Sequence, residues 1–316
     1  MVYAPPERRP PPPRRSAADR IVRVIGIIGR VFVAAGLLLL FFTGYLLWGT
    51  GVYTKQQQED AAKTLEANPL VDQENLSADN IPPARPSQPA KPGDPLFSVK
   101  IPKIGLDTVV VEGVGREELK KGPGLFPDCD EGQGSDCVSD AKYPGENGNV
   151  AISGHRTTYG APFYRLDELA PGDLVDFVSG RARYRYKVRG EAQIVDPVAG
   201  FQVVTQHGRN EVTLTTCHPR FSAAQRLVIQ ADYVGASLVS APPTGGGPSA
   251  GPSEQPVVGA DVLILASIAL ASALGSLGLS KKYKWTAAYI AIGIAGAAGL
   301  WVGVFPRVLL LMPANY

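Results

Sequence analysis

The sequence predicts an all-β domain of short strands flanked by three membrane-spanning α-helices. Two observations carry that fold class. Between Leu96 and Tyr233, short apolar runs alternate with turn clusters, the pattern of a barrel or sandwich. Outside that region lie three long, almost uncharged apolar stretches, 31–53, 257–279 and 285–305, each long enough to cross a bilayer as a helix.

Taken in order, residues 1–30 are Pro- and Arg-rich and predict a disordered basic tail. The arginines crowd ahead of the first apolar stretch, which places this tail in the cytoplasm by positive-inside logic. No clear small-x-small cleavage site follows the stretch directly, so 31–53 reads as an uncleaved anchor. Residues 54–95 are polar and then Pro-rich, and predict a short helix and an extended stalk that lifts the next domain off the membrane. The globular domain spans 96–236. Its strand candidates are Phe97 to Ile101, Asp107 to Glu112, Asn149 to Ser153, Leu174 to Val178, Ala182 to Val188, Glu191 to Val195, Glu211 to Thr216 and Arg226 to Tyr233. Two short helices are expected near Glu117 to Lys120 and Phe163 to Leu169. Residues 237–256 form a Gly/Pro/Ser linker. The Lys-rich loop 280–284 between the last two spans belongs inside, which leaves the tail 306–316 outside. The expected product is a multi-pass protein in contact with membrane lipids, its β domain outside the cytoplasm.

Composition excludes some classes. Lys and Arg total 31 against 29 Asp and Glu, a net charge of +2 over 316 residues, too small for a nucleic-acid footprint. The apolar spans hold almost no polar groups, which argues against a transporter. With three cysteines the domain is held mainly by its core.

Chemistry concentrates at the strand ends. The run Thr213-Leu214-Thr215-Thr216-Cys217 ends a strand on a thiol, and Arg226 opens the next apolar run, so a hairpin sets the arginine beside the thiol. A third strand ends at Gly154-His155-Arg156. Thiol, imidazole and guanidinium are the parts of thiol-based acyl transfer: a nucleophile, a proton carrier and an oxyanion donor. Each has a plainer reading. A free cysteine often only packs, and an arginine often serves a surface ion pair. Arg156 and Arg220 compete with Arg226. His218 adjoins the thiol, but neighbouring side chains on a strand point apart, and His207 sits in a polar turn.

The TLTTC box with Arg226, the run AISGHRTTYGAPF from Ala151 to Phe163, IPKIGLDTVVVEGV from Ile101 to Val114 and KKGPG from Lys120 to Gly124 together resemble the sortases. The resemblance is greatest to the class E sortases of actinobacteria, and it covers less than half of the chain. It implies an eight-stranded β-barrel with short helices, and a cysteine transpeptidase that needs no cofactor or metal. Cys217 would be its nucleophile, His155 its acid and base and Arg226 its oxyanion or substrate donor. The implied partners are sorting-signal-bearing secreted proteins, cleaved between Thr and Gly of an LAxTG/LPxTG-like motif, and an amine of a peptidoglycan precursor. If the enzyme polymerises pilins instead, the amine is a pilin lysine. A catalytically idle scaffolding barrel is the alternative from another class. By the same resemblance no strongly depressed thiol pKa is expected. Thr216 would contact substrate or the oxyanion site, or be an ordinary strand residue, and Thr158 and Tyr159 would shape the groove.

One segment departs from the family. Leu125-Phe126 stands where a His-Tyr-like pair is expected, and an acidic insertion follows with Cys129 and Cys137. Two cysteines closing so small a loop outside the cytoplasm predict a disulfide, leaving Cys217 as the free thiol. Asp128, Asp130, Glu131, Asp136 and Asp140 crowd this loop without the spacing of a calcium site, so no metal is expected.

Overall fold

The computed structural model describes residues 17–71, 76–129, 137–197, 201–206 and 208–239. The linker beyond 239, the spans 257–279 and 285–305, the loop 280–284 and the tail 306–316 lie outside these residues, as does His207.

The chain divides into two compact units, one ending at Gly44 and one beginning at Tyr45. The first contains helix α1, Ala17–Gly44. Its 17–30 part is helical, where the composition predicts a disordered tail. Many of its apolar side chains are exposed, Phe32 and Leu40 at 74% and 72%. The predicted 31–53 span is not one element: α1 ends at Gly44, a π-helical turn covers Tyr45–Gly49, and α2 runs Thr50–Ala67. Among the described residues no helix is long and apolar enough to cross a membrane.

Among the described residues the second unit is built on nine strands. These are β1 Pro95–Ile101, β2 Leu106–Glu112, β3 Gly124–Leu125, β4 Asn149–Ser153, β5 Leu174–Ser179, β6 Ala182–Val188, β7 Gln193–Val195, β8 Glu211–His218 and β9 Gln225–Leu238. Their order is β6-β5-β1-β2-β3-β4-β8-β9-β7, and an added β6–β9 pairing closes a ring of eight strands. All eight expected strands form, yet the eight of the ring are not those eight. The two-residue β3 bridges β2 and β4, a piece too short to show a period. The expected strand at 191–195 shortens to β7, which pairs with the Arg226–Val228 part of β9, while β6 pairs further along from Ala231. The length of β9 makes this possible. Of the short helices, α3 is Arg116–Leu119, the 163–169 segment yields only a 3-10 turn at Leu166–Glu168, and α4 at Phe201–Val204 was not expected.

Alternation along the strands fills the barrel. In β6, Ala182, Tyr184, Tyr186 and Val188 are buried while the intervening residues are not. Phe177 lies edge-on to Phe97 (centroids 5.4 Å, 82°) and to Tyr186 (5.5 Å, 81°), an arrangement favoured by the ring quadrupoles. Pro171-Gly172-Asp173 makes the turn before β5: Gly172 has φ of 100°, and the Asp173 carboxylate accepts from the Ala170 N–H at 2.9 Å.

The expected stalk does not stand away from the barrel. Helix α2 is buried against it through Thr50, Thr54 and Gln58. Further along, Val71 and Ala84 belong to the barrel core, with Leu70, Leu76 and Ile81 packed against it. The Tyr184 hydroxyl donates to the Pro82 carbonyl, the Ala84 N–H donates to Pro144 at 2.8 Å, and Arg85 pairs with Glu146 at 2.5 Å. Low hydropathy marked this stretch as solvated. Its few apolar residues nonetheless find the barrel because the Pro-rich chain is already extended and loses little entropy on docking.

Cys129 and Cys137 form a disulfide. At the end of β2, Glu112 is buried, and its carboxylate accepts from the Tyr143 hydroxyl at 3.2 Å. Burial is the main cause that pushes Glu112 up to about 7. In an acid, a folded pKa above the unfolded one means that the native state holds the extra proton. The stabilisation is therefore complete below the unfolded value and is lost as pH rises through 7. Glu112→Gln should remove this loss, making the variant more stable than the parent at pH 8 by roughly 3 kcal/mol and little different at pH 4. Urea midpoints at the two pH values measure it, and an unchanged midpoint at pH 8 would refute the assignment.

Candidate active site

Three strands deliver the predicted chemical groups to one end of the barrel. Strands β8 and β9 pair antiparallel with Cys217 directly opposite Arg226, so the two side chains leave the same face as cross-strand neighbours. Strand β4 pairs in parallel with β8, Ser153 against Thr215, and the Gly154 N–H continues the ladder to the Thr215 carbonyl at 3.1 Å. His155 follows two residues beyond the end of β4, at the same end of the barrel as Cys217. This end therefore holds a thiol opposite a guanidinium on one neighbouring strand, with an imidazole in the loop that follows the other.

Local sequence explains the loop after β4. A Cβ on Gly154 would come within 2.7 Å of the Phe163 ring, so only glycine lets the chain pass there. The Phe163 N–H returns to the His155 carbonyl at 3.1 Å, closing the GHRTTYG turn. Tyr159, at φ of 51°, turns its ring onto the His155 imidazole with centroids 5.1 Å apart. Thr158 caps the turn through its carbonyl, which accepts from the Ala161 N–H at 2.9 Å.

Electrostatics leave the pair neutral at rest. Burial pushes the Cys217 thiol up, against the opposing pull of Arg226 and Arg156. Burial also lowers His155 to about 4, helped by the nearby charge of Lys120. The thiol is thus raised rather than depressed. Arg226 donates from Nη1 to the Ala223 and Gln225 carbonyls at 3.1 and 3.2 Å, and no carboxylate pairs with it among the described residues. A guanidinium held by backbone alone keeps its charge and remaining donors for a developing anion.

Two nearby side chains are tied into the fold. The Thr216 hydroxyl is engaged within the fold. It is buried and donates to the Gly154 carbonyl at 2.7 Å, because alternation turns it away from Cys217. Arg156, weighed at the sequence level only as a competitor of Arg226, is buried and binds three groups. Its Nη1 donates to the Cys217 carbonyl at 3.2 Å and to His218 Nδ1 at 2.9 Å, and its Nη2 pairs with Asp167 at 2.9 Å. It locks the histidine loop to the nucleophile's backbone and occupies His218. Arg220 also reaches Asp167, at 3.2 Å, with its guanidinium over the Tyr164 ring. The position of Arg156 next to His155 was the one signal, and it does not reveal burial. Among the described residues no cluster of His, Cys, Asp or Glu has metal-binding geometry.

A closed β-barrel presenting Cys, His and Arg from three adjacent strand ends defines a thiol acyltransferase class. Residues 99–234 match the family model of the sortase domain, a family of cysteine transpeptidases. It is 28% identical to Sortase SrtE1 of Streptomyces coelicolor over 210 residues, covering 64% of this chain and 55% of that protein. It is also 28% identical to Sortase D of Bacillus subtilis over 193 residues, covering 61% of this chain and 89% of the other. Among solved structures, sortase E from Streptomyces avermitilis is 29% identical, with 51% of this chain and 98% of that chain covered at a TM-score of 0.40.

Proposed function

We propose that this protein is a membrane-anchored sortase of class E type. It would cleave a secreted protein at an LAxTG/LPxTG-like motif between Thr and Gly and transfer it to a peptidoglycan-precursor amine. The observation that carries the reading is Cys217 set directly against Arg226, with His155 on the adjoining strand end. The similarity to Streptomyces Sortase SrtE1 and SrtE2 favours the class. The exposed apolar side chains of α1 support an anchor there. Any embedded part ends before Thr50, because that hydroxyl is bonded to the Tyr159 N–H. The two C-terminal apolar stretches would complete a multi-pass topology with the barrel outside the cytoplasm.

In the reaction, the Cys217 thiolate attacks the Thr carbonyl carbon, and the electron pair moves to oxygen, where Arg226 holds it. Collapse breaks the Thr–Gly bond as His155 gives its proton to the leaving Gly amine, leaving a thioester on Cys217. An incoming amine then attacks the thioester, His155 takes its proton, and the new amide leaves with Cys217 restored.

Full-length protein in detergent, given LAxTG and LPxTG peptides with and without an amine, tests this. Cleavage at Thr–Gly with an acyl mass on Cys217, absent in Cys217→Ala, is the expected result. A folded protein that neither cleaves nor acquires the adduct would overturn it.

A further inference from the structure

Helix α2 docks on the barrel by a polar stripe. Thr50, Thr54 and Gln58, spaced four apart along one face, are its buried residues. Gln58 uses its full capacity: Nε2 donates to the carbonyls of Val109 (2.9 Å) and Lys121 (2.8 Å), and Oε1 accepts from the Thr108 hydroxyl and the Val109 N–H, both at 2.7 Å. With Gln58 clamping the helix to β2, the other two residues reach the loops that flank the histidine. Thr50 Oγ1 accepts from the Tyr159 N–H at 3.1 Å, and Thr54 Oγ1 donates to the Lys120 carbonyl at 2.7 Å. Backbone contact is close as well, since a Cβ on Gly51 would lie 3.7 Å from the Gly160 nitrogen.

Tyr159 and Lys120 are the two groups that set the surroundings of His155: one stacks on its ring and the other places a cation near it. We infer that Thr50 and Thr54 are positioning residues for His155, acting through Tyr159 and Lys120, so that the helix emerging from the anchor is a working part of the active site. The charged and titratable groups acting on His155 and Tyr159 are Lys120, Glu117, Arg116, Tyr45 and Tyr53, while Arg226 and Arg156 act on Cys217. Neither threonine touches the reacting atoms, and each fixes a neighbour of the imidazole by a single bond to backbone. A fragment beginning at residue 96 keeps Cys217, His155 and Arg226 but lacks this brace.

The inference rests on the transpeptidase reading only for its kinetic readout, so the test carries a second one. In the full-length protein, Thr50→Val and Thr54→Val keep the side-chain shape and remove the hydrogen bond, whereas Thr50→Ser and Thr54→Ser retain it. Peptide cleavage across pH should show kcat lowered about tenfold with KM little changed in the valine variants. The acid limb should move to higher pH as the imidazole loses its cover and its cation, and both serine variants should regain parental values. NMR titration of the His155 ring, assigned by His155→Gln, reads the same shift without turnover. A shifted ring titration in a protein that cleaves no peptide would keep this inference and remove the proposed function. Valine variants with the parental titration and pH profile, or an equal loss in the serine variants, would overturn the inference.

Discussion

His155→Gln lowers kcat/KM for the sorting peptide by about 10²–10⁴-fold while leaving the fold intact. The size follows from general acid–base catalysis, since the leaving Gly amine cannot depart as an anion and His155, just beyond the end of β4, is the group proposed to protonate it. The fold should survive because the imidazole contributes a stack with Tyr159, whereas the loop itself is closed through the His155 carbonyl and the Arg156 side chain. The pH profile of the parent adds a signature. With His155 lowered to about 4 and the thiol raised, the reactive thiolate–imidazolium pair is a minor species whose population stays constant between the two pKa values. Activity should therefore be flat through neutral pH and fall on the acid side near the His155 value. Steady-state rates from pH 3.5 to 9 check this. A steep rise of activity centred near pH 7 would contradict the arrangement, as would a glutamine variant of parental activity.

Arg226→Ala should cost about 10²–10³-fold, mostly in kcat, as expected when an oxyanion donor is removed. Lysine should restore little, because a single ammonium does not reproduce the guanidinium fork. The change has a second consequence that needs no substrate. Arg226 is the first of the two cations that pull the Cys217 pKa down against burial, so its loss should raise the thiol further. Alkylation by iodoacetamide, followed against pH, would then show its midpoint at higher pH in the variant. Stability should change little, because among the described residues the guanidinium is bonded only to the Ala223 and Gln225 carbonyls near the hairpin turn. If the alanine variant turned over at the parental rate, Arg156 would be the arginine to reconsider. That residue, however, is already committed to Cys217 O, His218 and Asp167.

What the sequence determined by itself is whatever depends on neighbours along the chain. β-Branched alternation located every strand except Gly124–Leu125, which is too short to alternate. The thiol at one strand end and the arginine opening the next run were sufficient to foresee their pairing, because an antiparallel hairpin leaves little freedom of register. The disulfide between Cys129 and Cys137 was legible for the same reason of proximity. Tertiary structure alone decided the rest. Thr216 left a substrate contact and an ordinary strand residue both open, and the closed barrel bonds its hydroxyl to Gly154. Arg156 looked like a spare cation until the parallel pairing of β4 with β8 brought the Cys217 carbonyl and His218 to it. The 54–95 segment read as a stalk because Thr54 and Gln58 are polar, and polar residues ordinarily face water. Their partners are backbone groups more than fifty positions away, at Lys120 and Val109, and backbone amides carry no side-chain signature that a sequence could display.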